Sequence, residues 1–433
     1  MNHLVAIIYE IGLWIATLAA LPKLLYNFFV KKKYHQSLPI RFGFKYPNFS
    51  KKKGKRIWIH AVSVGETKAV SSLAREIKQR FPTSELIVSS VTETGHGEAK
   101  RSLPFADYHV YLPFDFDCLS RRIVKQAEPD LVVLCESDFW YHFLRRAKQN
   151  GAQLALVNGK LSERSTGRFA KVPFFSKRLF QLFQVLCVQN HLYLDRYLRA
   201  GAPEENLQVT GNLKFDEDYP HLRADEMAQW KNKLGIQPNQ LVLTVGSTHD
   251  PEEKLVLNVL KEIRKNVPNL KVLIVPRHPD RFKEVAALIE KEGISFISFT
   301  DINHRTGQEQ VILIDAMGML RMCYQLSDVA IVGGSFTSKV GGHNVLEPCW
   351  YGKPVLFGPH MHTQVELVDL LKQYEAGRQV ETDELAQVLE AWLKNPEQRN
   401  EIGQKGIKLI ADIKGSKKKT LTALDACLAQ LSL

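Results

Sequence analysis

The chain has 433 residues, with 58 Lys plus Arg against 46 Asp plus Glu, 45% apolar residues and six cysteines. That length supports two or three packed units, and the apolar share excludes a largely disordered protein. The cysteines (Cys118, Cys135, Cys187, Cys323, Cys349, Cys427) form no C-x-x-C pair and read as buried thiols in a reducing compartment. The net charge of +12 is divided unevenly: residues 1 to 200 hold 31 basic and 15 acidic side chains, a net +16, and residues 201 to 433 hold 27 and 31, a net −4. A basic excess of this kind addresses nucleic acid, an anionic membrane or an acidic substrate.

At the N-terminus, Leu4 to Pro22 (LVAIIYEIGLWIATLAALP) carries a single charge, Glu10, and is followed by Lys23, the aromatics Tyr26, Phe28 and Phe29, and Lys31, Lys32 and Lys33. An apolar stretch of this length just crosses a hydrocarbon core of about 30 Å. It lacks the early basic region and small-residue cleavage site of a signal peptide. Residues 1 to 33 are therefore expected to anchor the chain to a membrane. Spanning is preferred to lying in the interface, and the lysine flank keeps the rest of the chain cytoplasmic. A buried core helix would account for the leucines but not for the lysine clusters at 31 to 33 and 51 to 53.

After Lys55, short apolar runs alternate with amphipathic stretches, which predicts a parallel sheet covered by helices. Strands are expected at Ile57 to Val62, Glu85 to Val91, His109 to Pro113, Leu131 to Cys135, Leu154 to Asn158, Val185 to Gln189 and Leu207 to Gly211. Between the first two, Ala69, Leu73, Ile77 and Phe81 recur on one helical face. The polar segment 216 to 240 reads as a linker. A second alternation follows, with strands at Leu241 to Gly246, Lys271 to Val275, Val311 to Asp315, Val329 to Val332 and Pro354 to Phe357. The expected organisation is an anchor at 1 to 33, one Rossmann-like domain at 34 to 215, the linker, and a second such domain at 241 to 433. Both are doubly wound α/β units, with ligands held in a cleft at the strand C-termini.

Neither domain carries a G-x-G-x-x-G after its first strand, nor is there a G-x-x-x-x-G-K-[ST], so dehydrogenase and P-loop chemistry lose their main support. Asp115-Phe116-Asp117 has the spacing of a metal-binding D-x-D but is weak as a lone motif, and His360 and His362 read as loop histidines. No metal is expected.

The chemistry concentrates at strand ends. His60-Ala61-Val62-Ser63-Val64-Gly65-Glu66 runs from the first strand straight into a helix, so Glu66 sits in a first helical turn. There it either complements the helix dipole or acts as a general base. Leu131 to Trp140 (LVVLCESDFW) repeats the arrangement with Glu136. In the second half, Pro276-Arg277-His278-Pro279 puts a guanidinium at the sheet edge. The glycines of Gly333-Gly334-Ser335 and Gly341-Gly342-His343-Asn344-Val345-Leu346-Glu347-Pro348 bracket a loop whose N–H groups suit an anion, and Glu347 suits ribose hydroxyls. This pattern predicts a nucleotide-linked substrate.

Taken in order, HAVSVGE, Thr94 to Gly97 (TGHG), LCESDFW, Asn158 to Ser162 (NGKLS), Val209 to Asp216 (VTGNLKFD), PRHPDR and GGHNVLEP resemble the 3-deoxy-D-manno-octulosonic acid (Kdo) transferase family of Gram-negative bacteria, over nearly the whole chain. The resemblance implies a GT-B fold, CMP-Kdo as donor substrate with no cofactor, and a tetraacylated lipid A precursor as acceptor at the cytoplasmic face of the inner membrane. It implies Glu66 as catalytic base in an inverting transfer, with Glu136 and Lys214 stabilising the transition state. CMP would be bound by Pro276 and Arg277, by Met317, Gly318 and Met319, and by Asn344, Val345, Leu346 and Glu347. The chain departs from many relatives at Met319 (Glu), at Lys160 (Arg) and at Cys135-Glu136-Ser137 (Met-Glu-Thr).

The resemblance also suggests that the segment Lys160 to Phe183, where Lys160, Arg164, Arg168, Lys171, Lys177 and Arg178 interleave with five phenylalanines, apposes the membrane and the acceptor. A GT-B transferase using a UDP-sugar on another membrane lipid is the alternative function. A nucleic-acid or membrane adaptor would leave Glu66, Glu136 and the −4 half without a role, so no nucleic-acid partner is expected.

Overall fold

The computed structural model describes residues 2–31, 34–35, 37–45, 47–216 and 219–429, so Lys32 and Lys33 of the basic run lie outside the described residues. The chain divides into two units, 1–217 joined by 413–433, and 218–412.

The first unit holds β1 (Arg56–His60), β2 (Glu85–Ser90), β3 (Tyr108–Tyr111), β4 (Leu131–Cys135), β5 (Gln153–Gly159), β6 (Val185–Val188) and β7 (Leu207–Val209) in one sheet of order β3-β2-β1-β4-β5-β6-β7. All the pairings are parallel. Every residue of β1 and of β4 is buried, as an apolar run covered on both faces requires. Alternation then sends Trp58, Val132, Leu134, Leu154 and Leu156 into one core and Ile57, Ile59, Leu131, Val133 and Val157 into the other. The strand order reverses between β1 and β4, which makes their C-terminal ends the natural place for a ligand. Helix α3 (Val64–Arg80) follows β1 and buries Ala69, Val70, Leu73 and Ile77, the stripe expected from the sequence.

In the second unit, β8 (Leu241–Thr248), β9 (Leu270–Pro276), β10 (Phe296–Ser298), β11 (Val311–Leu313), β12 (Val329–Val332), β13 (Val355–Phe357) and β14 (Gly377–Gln379) form a parallel sheet of order β10-β11-β9-β8-β12-β13-β14. The two outermost strands were not expected. Each has only three residues, and GRQ in particular has no apolar run to announce it.

Two domain boundaries differ from expectation. The supposed linker contains a helix, Ala224–Lys233, and Leu222, Met227, Trp230, Leu234 and Ile236 join the core of the second unit beneath Leu273, Val275 and Ile312. Met227, Trp230 and Leu234 fall at i, i+3 and i+7, so the apolar face is one helical stripe diluted by polar neighbours. The last helix, Ser416–Ala429, belongs to the first unit and not to residues 241 to 433. It lays Leu421, Leu424, Cys427 and Leu428 on the core of Ile57, Val133 and Cys187. Its first turn is fixed by Asp216, whose carboxylate accepts the N–H of Gly415 at 2.6 Å and that of Lys417.

The N-terminal apolar segment is one 28-residue helix, α1 (Asn2–Phe29), followed by the short α2 (Ser37–Arg41). Tyr9 donates its hydroxyl proton to Asp115 Oδ2 at 2.9 Å, and Glu10 accepts the Asp117 N–H at 3.1 Å and meets His142 at 2.9 Å. The D-x-D carboxylates are thus spent on structure. Asp115 also accepts the N–H groups of His142 and Phe143 and the Ser120 hydroxyl, while Asp117 pairs with Arg145 and Arg146. Burial pushes the Asp115 carboxyl up to about 7, against the pull of these donors. Among the cysteines, Cys118 is exposed and the other five are buried.

Candidate active site

Glu66 and Glu136 stand at the mouths of the two strands that flank the reversal of order in the first unit. Ser63, with an extended backbone, caps α3: its Oγ accepts the Glu66 N–H at 3.3 Å and donates to Glu66 Oε1 at 2.9 Å. The Val62 N–H donates to Oε2 at 2.9 Å. This reciprocal arrangement is close to a capping box, so part of Glu66's role is to begin the helix. Burial nevertheless raises its pKa above the ordinary 4.5, opposed by the donors from Val62 and Ser63 and reinforced by the nearby charges of Glu136 and Asp138. A carboxylate that is held in place and more basic than usual is suited to taking a proton.

Glu136 is buried, at 5% exposure, and has φ +65°, a conformation that L residues other than Asn and Asp rarely adopt. Asn158, at the end of the neighbouring β5, has φ +54°. The left-handed conformation of Glu136 costs of order 1–3 kcal/mol, whereas Asn158 adopts it readily, and it marks Glu136 as a position whose geometry is imposed by what surrounds it. Around Glu136 that surrounding is cationic: Lys214 Nζ lies 3.1 Å from Oε1 and Lys160 Nζ 2.5 Å from Oε2. Asn158 Nδ2 approaches Oε1 at 3.4 Å, and its Oδ1 accepts the Leu213 N–H at 3.0 Å, which tethers the turn carrying Lys214. Lys214 Nζ also lies 3.9 Å from where a side chain at Gly65 would begin, so Glu66, Glu136 and Lys214 are brought together.

Lys160 departs from the membrane-facing role expected for residues 160 to 183. Burial alone would lower its pKa, but the Glu136 carboxylate outweighs this and holds the ammonium above its ordinary range. The signal for its role was its place two residues after Asn158 at the end of a strand neighbouring β4. Of the phenylalanines in the same segment, Phe180 and Phe183 are core residues, whereas Phe174 is exposed.

In the second unit, Ser247, Val275, Pro276, Arg277, Met317, Gly318, Met319, Arg321 and Glu347 line a cavity of about 380 Å³ at the ends of β8 and β9. Six of the nine residues expected to hold a nucleotide therefore share one cavity. The other three support it from behind. Val345 and Leu346 turn their side chains into the core, and Asn344 Oδ1 accepts the Leu346 N–H at 3.0 Å. The glycine-rich loop departs from expectation. The N–H groups of Gly334, Ser335 and Phe336 donate to the buried carboxylate of Glu252 at 2.7, 3.0 and 2.8 Å, and the His249 N–H adds a fourth bond at 2.9 Å. The anion that fills this nest is the protein's own side chain. Beside it, His249 and His343 meet Nε2 to Nε2 at 2.8 Å with nearly coplanar rings, so one imidazole donates to the other.

A family model described as 3-deoxy-D-manno-octulosonic-acid transferase (kdotransferase) matches residues 36–217. The 3-deoxy-D-manno-octulosonic acid transferase of Chlamydophila psittaci is 36% identical over 401 residues, 92% of this chain and 91% of its own. That of Haemophilus influenzae is 31% identical over 396 residues, 90% of this chain and 91% of its own. Among solved structures, UDP-GlcNAc 2-epimerase from Neisseria meningitidis aligns with 85% of this chain and 99% of its own at a TM-score of 0.57 and 15% identity, a likeness of fold alone. The two parallel seven-stranded sheets have the GT-B fold, and identity sustained over nine-tenths of the chain shows that it belongs to the Kdo transferases, a family of glycosyltransferases.

Proposed function

We propose that this Kdo transferase takes Kdo from CMP-Kdo and joins it to a hydroxyl of a tetraacylated lipid A precursor, lipid IVA, with Glu66 as general base. The observation that carries this reading is the Glu66 carboxylate, oriented by Ser63 and Val62 and made more basic by burial, beside the Glu136–Lys214 pair. The acceptor oxygen attacks the anomeric carbon as Glu66 takes its proton. The bond from that carbon to the phosphate oxygen breaks, and CMP leaves with the bonding electrons. A single displacement inverts the anomeric configuration. Lys214 and Lys160 supply the positive charge that offsets the carboxylates and the negative charge gathering on the leaving group. Arg277 suits the phosphate of CMP, Glu347 its ribose, and the backbone of Met317 to Met319 its base. No metal is assigned a step.

The apolar α1 and the basic residues around it support attachment to the cytoplasmic face of the inner membrane, where such an acceptor is found. Incubating the purified protein with CMP-Kdo and lipid IVA, then weighing the products by mass spectrometry, tests donor, acceptor and the number of sugars added together. Transfer from UDP-sugars but none from CMP-Kdo overturns the donor assignment, and full activity in Glu66→Gln overturns the base.

A further inference from the structure

We propose that α1 lies along the bilayer surface, with both of its ends on the side of the globular units, and does not cross the membrane. The proposal rests on the membrane attachment put forward above. A spanning helix needs about 20 consecutive residues free to enter lipid, and α1 offers no such stretch. Near its start, Val5 and Ala6 are buried against the first unit, and the ring of Tyr9 stacks on Phe175 at 5.6 Å. Halfway along, the Trp14 ring lies 4.5 Å from that of Phe116. Towards its end, the partly covered Leu24 and Phe28 line an apolar pocket with Leu38, Pro39, Phe42 and Phe44, which Leu21, Leu25 and Phe29 border while remaining exposed. That returning segment is itself fixed to the first unit: the Phe114 N–H donates to the Arg41 carbonyl at 2.9 Å, and the Phe42 and Phe114 rings lie 4.8 Å apart. Beginning, middle and end of α1 are all tied to the same unit, the middle to Phe116 directly and the end through residues 38–44 to Phe114, two positions away.

The exposure of its side chains repeats with the helix. Leu4, Ile8, Ile11, Ile15, Leu18, Leu25 and Phe29 are exposed, at intervals of three, four or seven residues. Tyr9, Glu10, Leu13, Thr17, Leu24 and Phe28 are partly covered and form the opposite stripe. One face is therefore turned to protein over residues 5–17 and again at 24–28, with residues 18–23 exposed all round between them, and the opposite face is apolar throughout. Glu10, the one charge in the apolar run, lies on the covered stripe, where Asp117 and His142 receive it. Next to Phe175, the partner of Tyr9, Val172 and Phe174 are also exposed, and Lys23, Lys31, Arg168, Lys171 and Lys177 are exposed in the same two segments. Apolar side chains fringed by ammonium and guanidinium groups match the boundary between acyl chains and anionic headgroups. That chemistry favours a bilayer over a second copy of the chain, which would bring like charges together.

The test places an environment-sensitive fluorophore on Leu4→Cys, Leu18→Cys or Phe29→Cys, with the exposed Cys118 replaced by Ser, in the full-length protein bound to vesicles of phosphatidylethanolamine and phosphatidylglycerol. Depth is read with lipids brominated at successive acyl positions, using only variants that keep transferase activity. The expectation is that all three probes lie at one shallow depth, within about 5 Å of each other and 5–10 Å below the headgroups. A Leu18 probe near the bilayer centre, about 20 Å from the Leu4 probe along the normal, overturns the proposal. Concentration-dependent dimerisation that buries the probes without vesicles also overturns it. Failure to sediment with vesicles while transfer to detergent-dispersed acceptor persists overturns the membrane attachment itself and leaves the assigned chemistry standing.

Discussion

Lys214 Nζ lies 3.1 Å from Glu136 Oε1 and joins residues 78 positions apart in the chain. The Lys160 ammonium holds the other oxygen, so the buried carboxylate sits between two cations. If Lys214 acts as proposed, replacing it by Met should lower kcat by about a hundredfold. Stability should move by no more than about 1 kcal/mol, because Lys214 is itself half exposed and Lys160 remains. Adding Lys160→Met should cost more than the two single changes combined, since Glu136 then loses both partners. Steady-state kinetics and urea denaturation of the three variants check this; strict additivity counts against a shared network.

The acid limb of kcat/KM should lie above pH 4.5, because burial holds the Glu66 carboxyl above that value and a general base must be ionised. Activity is therefore lost as pH falls through the raised value. Any stability contribution from the same shift has the opposite dependence: it is fully present below 4.5 and is lost as pH rises through the raised value. Asp138→Asn removes one like charge and should move the limb to lower pH. A pH–rate profile with its acid limb at or below 4.5 sinks the assignment.

Arg277→Lys should raise the KM for the CMP-linked donor by about ten- to a hundredfold with kcat changed less than threefold. The planar fork proposed to hold the donor phosphate is replaced by a point charge, and a charged hydrogen bond is worth about 1.5–3 kcal/mol. Donor titration at saturating acceptor measures the split between KM and kcat.

Glu252→Gln should destabilise the second unit by about 3 kcal/mol, since an amide NH₂ is set against N–H groups that the carboxylate now accepts. Calorimetry should show melting lowered by about 5–10 °C. Unchanged melting would mean that the loop of Gly333 to Phe336 holds its shape without this anion.

Gly211 has φ +94°, and a Cβ there would lie 2.3 Å from Ser416 Oγ, the first residue of the last helix. Gly211→Ala should therefore cost about 1–3 kcal/mol in urea denaturation. Adding Ser416→Gly should recover part of the loss by removing the clash and leave the cost of the positive φ.

Twelve strands were legible from apolar runs because a strand buried on both faces must be apolar at nearly every position, which is a local property of the chain. The outermost strands of the second sheet, β10 and β14, were not, since pairing on one side asks little of side chains. Glu66 and Glu136 were legible because each follows a buried strand directly, and Arg277 for the same reason. The glycine-rich loop misled, because a row of N–H groups announces that an anion is present but not whose. Glu252 answers from 82 or more residues away.

The sequence by itself determined two parallel α/β sheets, an apolar N-terminal helix and the residues at the strand ends, all of which follow from periodicity and neighbour order. Tertiary structure alone decided that the last helix closes the first unit, that Lys160 serves Glu136, that Asp115 and Asp117 hold α1, and that α1 keeps one face on protein. Each of these is a contact between distant segments, chosen by complementary shape and charge once the sheets have formed, and no local pattern in the chain encodes which distant partner will be met.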